Sequence, residues 1–194
     1  MKIKKAYAQM SKSKHLKLLG NEYTRDDDEL VSGDQWLTDG FIAYRLEGMP
    51  VFDENNILSL LGISAEQSEK YSVSKSCIRD QINGTVKRMF MDSLTTDIYI
   101  TPLFEIFDVT VMADEGRTQV LFVPTNFVDV FDGSDTSFVL RTDDDGRRIV
   151  AAREGLILKG IAYSNDYLTV EAAEKHISNL MLVVREIERQ KAKM

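Results

Sequence analysis

The sequence contains few of the residues that build disulfides, metal centres or membrane spans. Among 194 residues there are one cysteine, Cys77, and two histidines, His15 and His176. One cysteine excludes an intrachain disulfide, and structural zinc needs about four Cys or His ligands. We therefore expect no metal or cofactor and a cytoplasmic location. Apolar runs are too short for a transmembrane helix, and the N-terminus lacks the apolar core of a signal peptide, so no membrane partner is expected.

Motifs that carry catalysis are also missing. The eleven glycines are scattered, and neither a phosphate-binding glycine loop nor a GxSxG nucleophile elbow occurs. Asp143-Asp144-Asp145-Gly146 begins like a calcium loop, but Arg141 and Ala152 stand where an EF-hand requires acids. We expect a protein that is not an enzyme and has no catalytic residue. Carboxylates distant in sequence that converge in space are the remaining catalytic alternative.

What the chain does contain is a globular composition with unevenly distributed charge. It is 43% hydrophobic and 28% charged, which is typical of a folded soluble domain. The formal net charge is −7, yet residues 1–17 hold six lysines and no acid, and residues 175–194 are also net basic. Basic ends on an acidic body indicate either an anionic partner or simply solvated tails.

The clearest local signal is a hairpin within residues 29–46. Two apolar runs flank Thr38-Asp39-Gly40, and an Asp-Gly pair between such runs favours a tight turn. The aromatic residues Trp36, Phe41 and Tyr44 bracket this turn, where they either fill a core or stack on nucleic-acid bases.

Periodicity predicts further elements along the chain. Lys2–Met10 is assigned to a strand, and residues 12–19 to a short helix with Ser11 as N-cap and Gly20 as its end. Residues 53–92 are interpreted as a mainly helical insertion. Strands are then expected at 97–101, 105–113, 118–123, 137–141, 148–153 and 156–163, with a short helix at 125–131. From Thr169 onward, apolar residues at three- and four-residue steps predict a long amphipathic helix.

These elements suggest an α+β fold in which one unit is used twice. Both residues 2–46 and residues 118–163 read as a strand, a short helix and three strands. We expect one domain over residues 1–165, with the helical insertion at 53–92, and a separate C-terminal helix at 166–194.

Short motifs within these units resemble the bacterial DNA sliding clamp, the DNA polymerase III beta subunit. Leu37-Thr38-Asp39-Gly40 followed by Tyr44-Arg45-Leu46 is similar to a strand–turn–strand passage of that family. Residues 122–128, FVPTNFV, are similar to its strand that enters the second pore-lining helix. Clamp domains are built from the same doubled strand–helix–three-strand unit, so the resemblance implies a DNA-clamp-like fold.

The resemblance implies a non-catalytic accessory role in DNA replication or metabolism. Its site residues would be those that meet the phosphate backbone, for which we name Lys12, Lys14, Lys17 and Arg45. The expected partners are duplex DNA and a replication protein. Independently of the resemblance, the apolar stripe of the C-terminal helix either packs on the chain's own sheet or joins further copies of the chain.

A second function stays open. The helix at residues 126–133 carries Asp129 and Asp132 and no basic residue, which disfavours DNA contact there. The alternative is a protein-interaction or regulatory module that has the clamp-like fold without DNA binding.

Overall fold

The computed structural model describes residues 1–24, 30–77, 89–92, 94–106, 108–133, 135–143 and 145–165. The chain divides into two compact units, Met1–Ser164 and Asn165–Met194. The predicted C-terminal helix, and with it self-association through that helix, lies outside the described residues. None of the helices among the described residues combines the length and apolar character that crossing a bilayer requires.

The described chain has mixed helix and strand content, as an α+β protein should. Its helices are α1 (Ile3–Met10), α2 (Asn56–Leu60), α3 (Ala65–Ser68) and α4 (Thr125–Phe131). Its strands are β1 (His15–Thr24), β2 (Leu30–Thr38), β3 (Ile42–Arg45), β4 (Ser72–Cys77), β5 (Ile98–Ile106), β6 (Val109–Asp114), β7 (Val120–Pro124), β8 (Thr136–Thr142), β9 (Arg148–Glu154) and β10 (Ile157–Tyr163).

All of these strands belong to a single sheet in the order β4-β1-β2-β3-β10-β9-β8-β5-β6-β7. Only β4 and β1 run parallel; every other neighbouring pair among these strands is antiparallel. The sheet curls, because β7 at one end also contacts β10. The Phe122 N–H donates to Oγ of Ser164, the residue that follows β10, at 3.3 Å.

The middle of the sheet has an approximate two-fold arrangement. One helix is followed by three antiparallel strands in α1-β1-β2-β3, and again in α4-β8-β9-β10. The six strands lie in mirrored order, and β3 meets β10 antiparallel with Ala43 opposite Ile161. The strand β7 leads directly into α4, whereas Met1 and Lys2, the residues given before α1, form no strand.

Each face of the sheet has its own apolar core. α1, α2 and α4 pack on one face, called here the helix face, with strand residues such as Leu16, Leu18 and Leu37. The opposite face carries Trp36, Val139 and Ile161 among its buried residues. It is covered in part by residues 89–92 and 94–97, called here the covering segment, whose Met89 is buried against it.

Close packing of α4 on the sheet requires a glycine in β10. A Cβ atom on Gly160 would lie 2.8 Å from the Phe131 ring and 3.2 Å from the Phe127 ring. Because real Cβ contacts are longer, any side chain here would force both rings away. Gly160 therefore lets α4 reach the centre of the sheet.

The N-terminal element assignments are wrong: Lys2–Met10 is largely helix and residues 15–19 are strand. The spacing of apolar residues explains why helix and strand were assigned the wrong way round. The apolar residues of the first segment recur with helical period: Ile3, Ala6, Tyr7 and Met10. Leu16 and Leu18, by contrast, are buried alternately with exposed His15 and Lys17. The assignment of residues 12–19 to a helix relied on Ser11 as a cap and Gly20 as a helix end, and it gave too little weight to this alternation.

Two further assignments need correction. Residues 72–77 of the supposed helical insertion form β4, which pairs with β1. Residues 105–113, assigned to one strand, are divided between β5 and β6, which form a hairpin. The 29–46 hairpin, α4 and the strands β8, β9 and β10 confirm the sequence-based assignments.

Candidate functional site

The exposed side of α1 is the most basic helical surface in the described residues. Ala6 and Met10 are buried against the sheet, which turns Lys4 and Lys5 outward into solvent. The backbone N–H of Lys2 donates to the Val130 carbonyl at 2.6 Å and fixes the start of α1 beside α4.

α4 places acids next to these lysines. Lys2 Nζ lies 2.8 Å from Asp132 Oδ2, and Lys5 Nζ lies 3.9 Å from Asp129 Oδ2. The hydrogen bond and the charge of Lys2 lower the pKa of Asp132, with a smaller contribution from Lys5. All four side chains are substantially exposed, so these pairs are weak and solvent can separate them.

The structure does not gather the four residues proposed to bind DNA. Lys12 is exposed in the turn after α1, close to Lys4 and Lys5 in sequence. Lys14 donates to the Tyr71 hydroxyl at 2.9 Å and lies 4.0 Å from the centre of that ring. Both residues border the helix face, through α1 and through Tyr71.

Lys17 and Arg45 point to the opposite face. Lys17 alternates with buried Leu16 and Leu18, and it lines a cavity of about 190 Å³ beside Phe41 and Phe90. Arg45 is buried, and its Nη1 contacts Asp92 Oδ1 at 2.8 Å and the Leu158 carbonyl at 3.1 Å. The geometry thus gives Arg45 a structural role under the covering segment.

Arg45 belongs to a buried group of arginines that sequence reasoning missed. Arg141 and Arg153 project from β8 and β9 onto the same face, and both hold Asp97. Asp97 Oδ1 lies 2.8 Å from Arg141 Nε, and Asp97 Oδ2 lies 3.0 Å from Arg141 Nη2. A two-point contact between guanidinium and carboxylate is strong and geometrically specific.

Arg141 also binds the backbone of the covering segment. Its Nη1 donates to the carbonyls of Met89 and Met91, at 2.8 and 2.7 Å. The sequence does carry one signal for this group, an arginine near the end of each of two apolar strands. A buried arginine needs a carboxylate partner. The partner itself is distant in sequence and could not be named.

The hairpin aromatics divide between the two faces. Trp36 packs edge-on against Phe90 at 4.9 Å between ring centres, whereas Tyr44 stacks on Phe127 at 5.9 Å on the helix face. Phe41 at the turn is 73% exposed. Trp36 and Tyr44 are core residues, and they offer no common surface for stacking bases.

No group of three or more His, Cys, Asp or Glu side chains within the described ranges is placed to hold a metal ion. Comparison of the chain with family models, with curated proteins and with solved structures found no match in any of the three.

Proposed function

We propose that this chain is a non-catalytic, clamp-like accessory protein of DNA metabolism that works in the cytoplasm. It contacts the phosphate backbone of duplex DNA from one side, through α1, and it serves a replication protein as partner. The observation that supports this is the two-fold pair of helix–three-strand units, which sets α1 and α4 over the same central strands.

The helices contact the sheet at the pair β3–β10, where the two helix–three-strand units meet. The Tyr44 hydroxyl of β3 lies 2.5 Å from Gln9 Oε1 of α1, and Gly160 of β10 accommodates Phe131 of α4. Both helices therefore rest on the central pair β3–β10, with their outer sides available to one extended ligand.

Charge on this helical layer favours an anionic ligand. The exposed surface of α1, α4 and their flanks carries four lysines and two acids. The lysines are Lys2, Lys4, Lys5 and Lys12, and the acids are Asp129 and Asp132; Asn126 adds an uncharged polar group. Lysines that neutralise phosphates release counterions, so binding through them weakens steeply as salt rises. Of the four residues first proposed, this contact keeps Lys12. It leaves out Lys14, which is bound to Tyr71, and Lys17 and Arg45, which lie on the opposite face.

The test is binding of a fluorescent DNA duplex, followed by anisotropy over a series of salt concentrations. Wild type is compared with Lys4→Gln/Lys5→Gln/Lys12→Gln. The control, Lys70→Gln/Arg117→Gln/Arg147→Gln, removes three exposed charges from other surfaces. We expect the first variant to lose most of the affinity and about 0.9 of the salt slope for each phosphate that it no longer neutralises. Equal losses in both variants would refute a specific role for α1.

The second candidate is a protein-interaction module with the same fold and no DNA role. The pairing of Lys2 and Lys5 with Asp132 and Asp129 favours it, because this pairing lowers the field that α1 presents. No DNA binding by wild type even at low salt would support this candidate over the first.

A further inference from the structure

A groove on the helix face lies between α2, α3 and strand β4. Its volume is about 400 Å³, within the range of small-ligand and side-chain pockets. The floor is apolar: Leu58 and Ile63 are less than 10% exposed, and half-buried Tyr71 and Val73 complete it.

The walls of the groove are held in place before any ligand arrives. The Asp53 carboxylate accepts the backbone N–H groups of Asn55 and Asn56, at 2.9 and 2.8 Å, and starts α2. Ser64 and Gln67 form a reciprocal capping box that starts α3. Caps of this kind stabilise short helices that would not persist alone.

The floor is fixed in the same way. The Tyr71 hydroxyl donates to the Ser11 carbonyl at 2.7 Å while it accepts from Lys14. This leaves the edge of the Tyr71 ring as an apolar surface of constant position, so an occupant would meet a pre-formed shape, which reduces the entropy lost on binding.

The charged side chains that line the groove are acidic, and Lys14 lies beside the groove against the Tyr71 ring. Among the described residues that line it, the charged ones are Glu54 and Glu69, and both are exposed. Neither carboxylate makes an ion pair with another described residue. Unpaired carboxylates beside an apolar floor favour a cation placed next to an inserted apolar group.

We infer that this groove docks a segment of a partner protein in which an apolar side chain is flanked by lysine or arginine. The apolar side chain fills the space over Leu58 and Ile63, and the flanking cations pair with Glu54 and Glu69. This inference is independent of DNA binding, because the groove shares no lining residue with the exposed lysines of α1.

The experiment uses three fluorescent probe peptides of equal length: one of lysine and leucine, one of glutamate and leucine, and one of lysine and serine. Anisotropy gives their affinities for the full chain, and methyl NMR follows Leu58 and Ile63. We expect only the lysine–leucine peptide to bind and to shift those two methyl signals.

Variants at the rim test the site without disturbing the core. Glu54→Gln/Glu69→Gln should weaken the lysine–leucine peptide about threefold to tenfold, as expected for two exposed ion pairs. Ala65→Arg places a bulky cation at the rim of the groove and should abolish binding. The matched control Glu105→Gln/Glu115→Gln makes the same change in net charge elsewhere and should leave the affinity unchanged.

Two results would overturn the inference. Equal weakening by the control variant would mean that the peptide responds only to the negative charge of the whole protein. Equal binding of the lysine–serine peptide would mean that the apolar floor is not used.

Discussion

At the scale of single residues, Arg141 joins the sheet to the covering segment. Its side chain is 1% exposed, and removing one member of a buried ion pair costs about 3–5 kcal/mol because the other charge is left uncompensated. We expect Arg141→Met to lower the free energy of unfolding by about that amount in urea denaturation. Arg117→Met is the control: its side chain is exposed and makes no ion pair with another described residue. Similar losses in both variants would contradict the buried network.

Tyr44 gives a second residue-scale prediction, in alkaline solution. Burial, aided by the charge of Asp39, raises the pKa of the Tyr44 phenol far above its ordinary value. The folded state therefore keeps the neutral phenol, whereas the unfolded chain ionises near pH 10. Stability is complete below that pH and falls above it, by about 1.4 kcal/mol per pH unit for one proton.

The measurement is the free energy of unfolding of wild type and of Tyr44→Phe between neutral pH and the alkaline limit. The variant loses the Gln9 hydrogen bond at every pH, which gives a constant offset. Burial also raises the pKa values of Tyr7 and Tyr163, so wild type and variant both lose stability. The wild-type curve should still fall more steeply. Parallel curves would show that Tyr44 ionises freely in the folded protein.

At the scale of elements, the pairing of α1 with α4 controls how much positive charge α1 offers. Asp129→Asn/Asp132→Asn should free Lys2 and Lys5, remove two repelling charges, and thus strengthen binding of duplex DNA. The salt slope should become steeper by about 0.9 for each additional phosphate that the freed lysines neutralise. Glu66→Gln/Glu115→Gln makes the same change in net charge on other surfaces. An increase in affinity in that control as large as in the α4 variant would point to net charge alone.

How far the sequence predicts these elements depends on whether the deciding interactions are local. The turn Thr38-Asp39-Gly40 was predicted because it is closed locally: Asp39 Oδ1 accepts the N–H groups of Phe41 and Ile42 at 2.9 Å. β1 was missed because a plausible cap at Ser11 competed with an alternation only a few residues long.

The same reasoning applies to the candidate site. Lys12, Lys14 and Lys17 would lie together on a helix, but along a turn and strand β1 they point to different surfaces. Arg45 can be buried because two groups remote in sequence, the Asp92 carboxylate and the Leu158 carbonyl, accept hydrogen bonds from its guanidinium. The groove beside α2 depends on β4, an element that the sequence pattern did not reveal.

At the scale of the unit Met1–Ser164, the two ends of the described sheet decide whether copies could join edge to edge. β4 ends the sheet on one side and β7 on the other. The free side of β7 is occupied by other parts of the chain: Ser164 accepts from Phe122 N–H, and Arg148 Nη1 donates to the Val120 carbonyl at 2.8 Å. A ring of head-to-tail copies needs two complementary surfaces on each copy. The edge of β7 is poorly suited to pair with another copy, because its backbone groups are already hydrogen-bonded within the chain.

Together with the proposed DNA contact through α1, this blocked edge predicts one-sided binding of DNA without a ring joined through β7. The protein should dissociate from closed circular duplex and from linear duplex of the same sequence at the same rate. Only a protein that encircles DNA is lost faster from linear DNA, because it can slide off the free ends. The measurement is the dissociation rate from each DNA at moderate salt, with the mass of the free protein taken by light scattering. If the protein stayed on circles, left linear DNA rapidly, and had the mass of a closed oligomer, the one-sided arrangement would be wrong. If the dissociation rates are equal and the free protein is a monomer or two-fold dimer, electrostatic contact through α1 suffices to account for DNA binding.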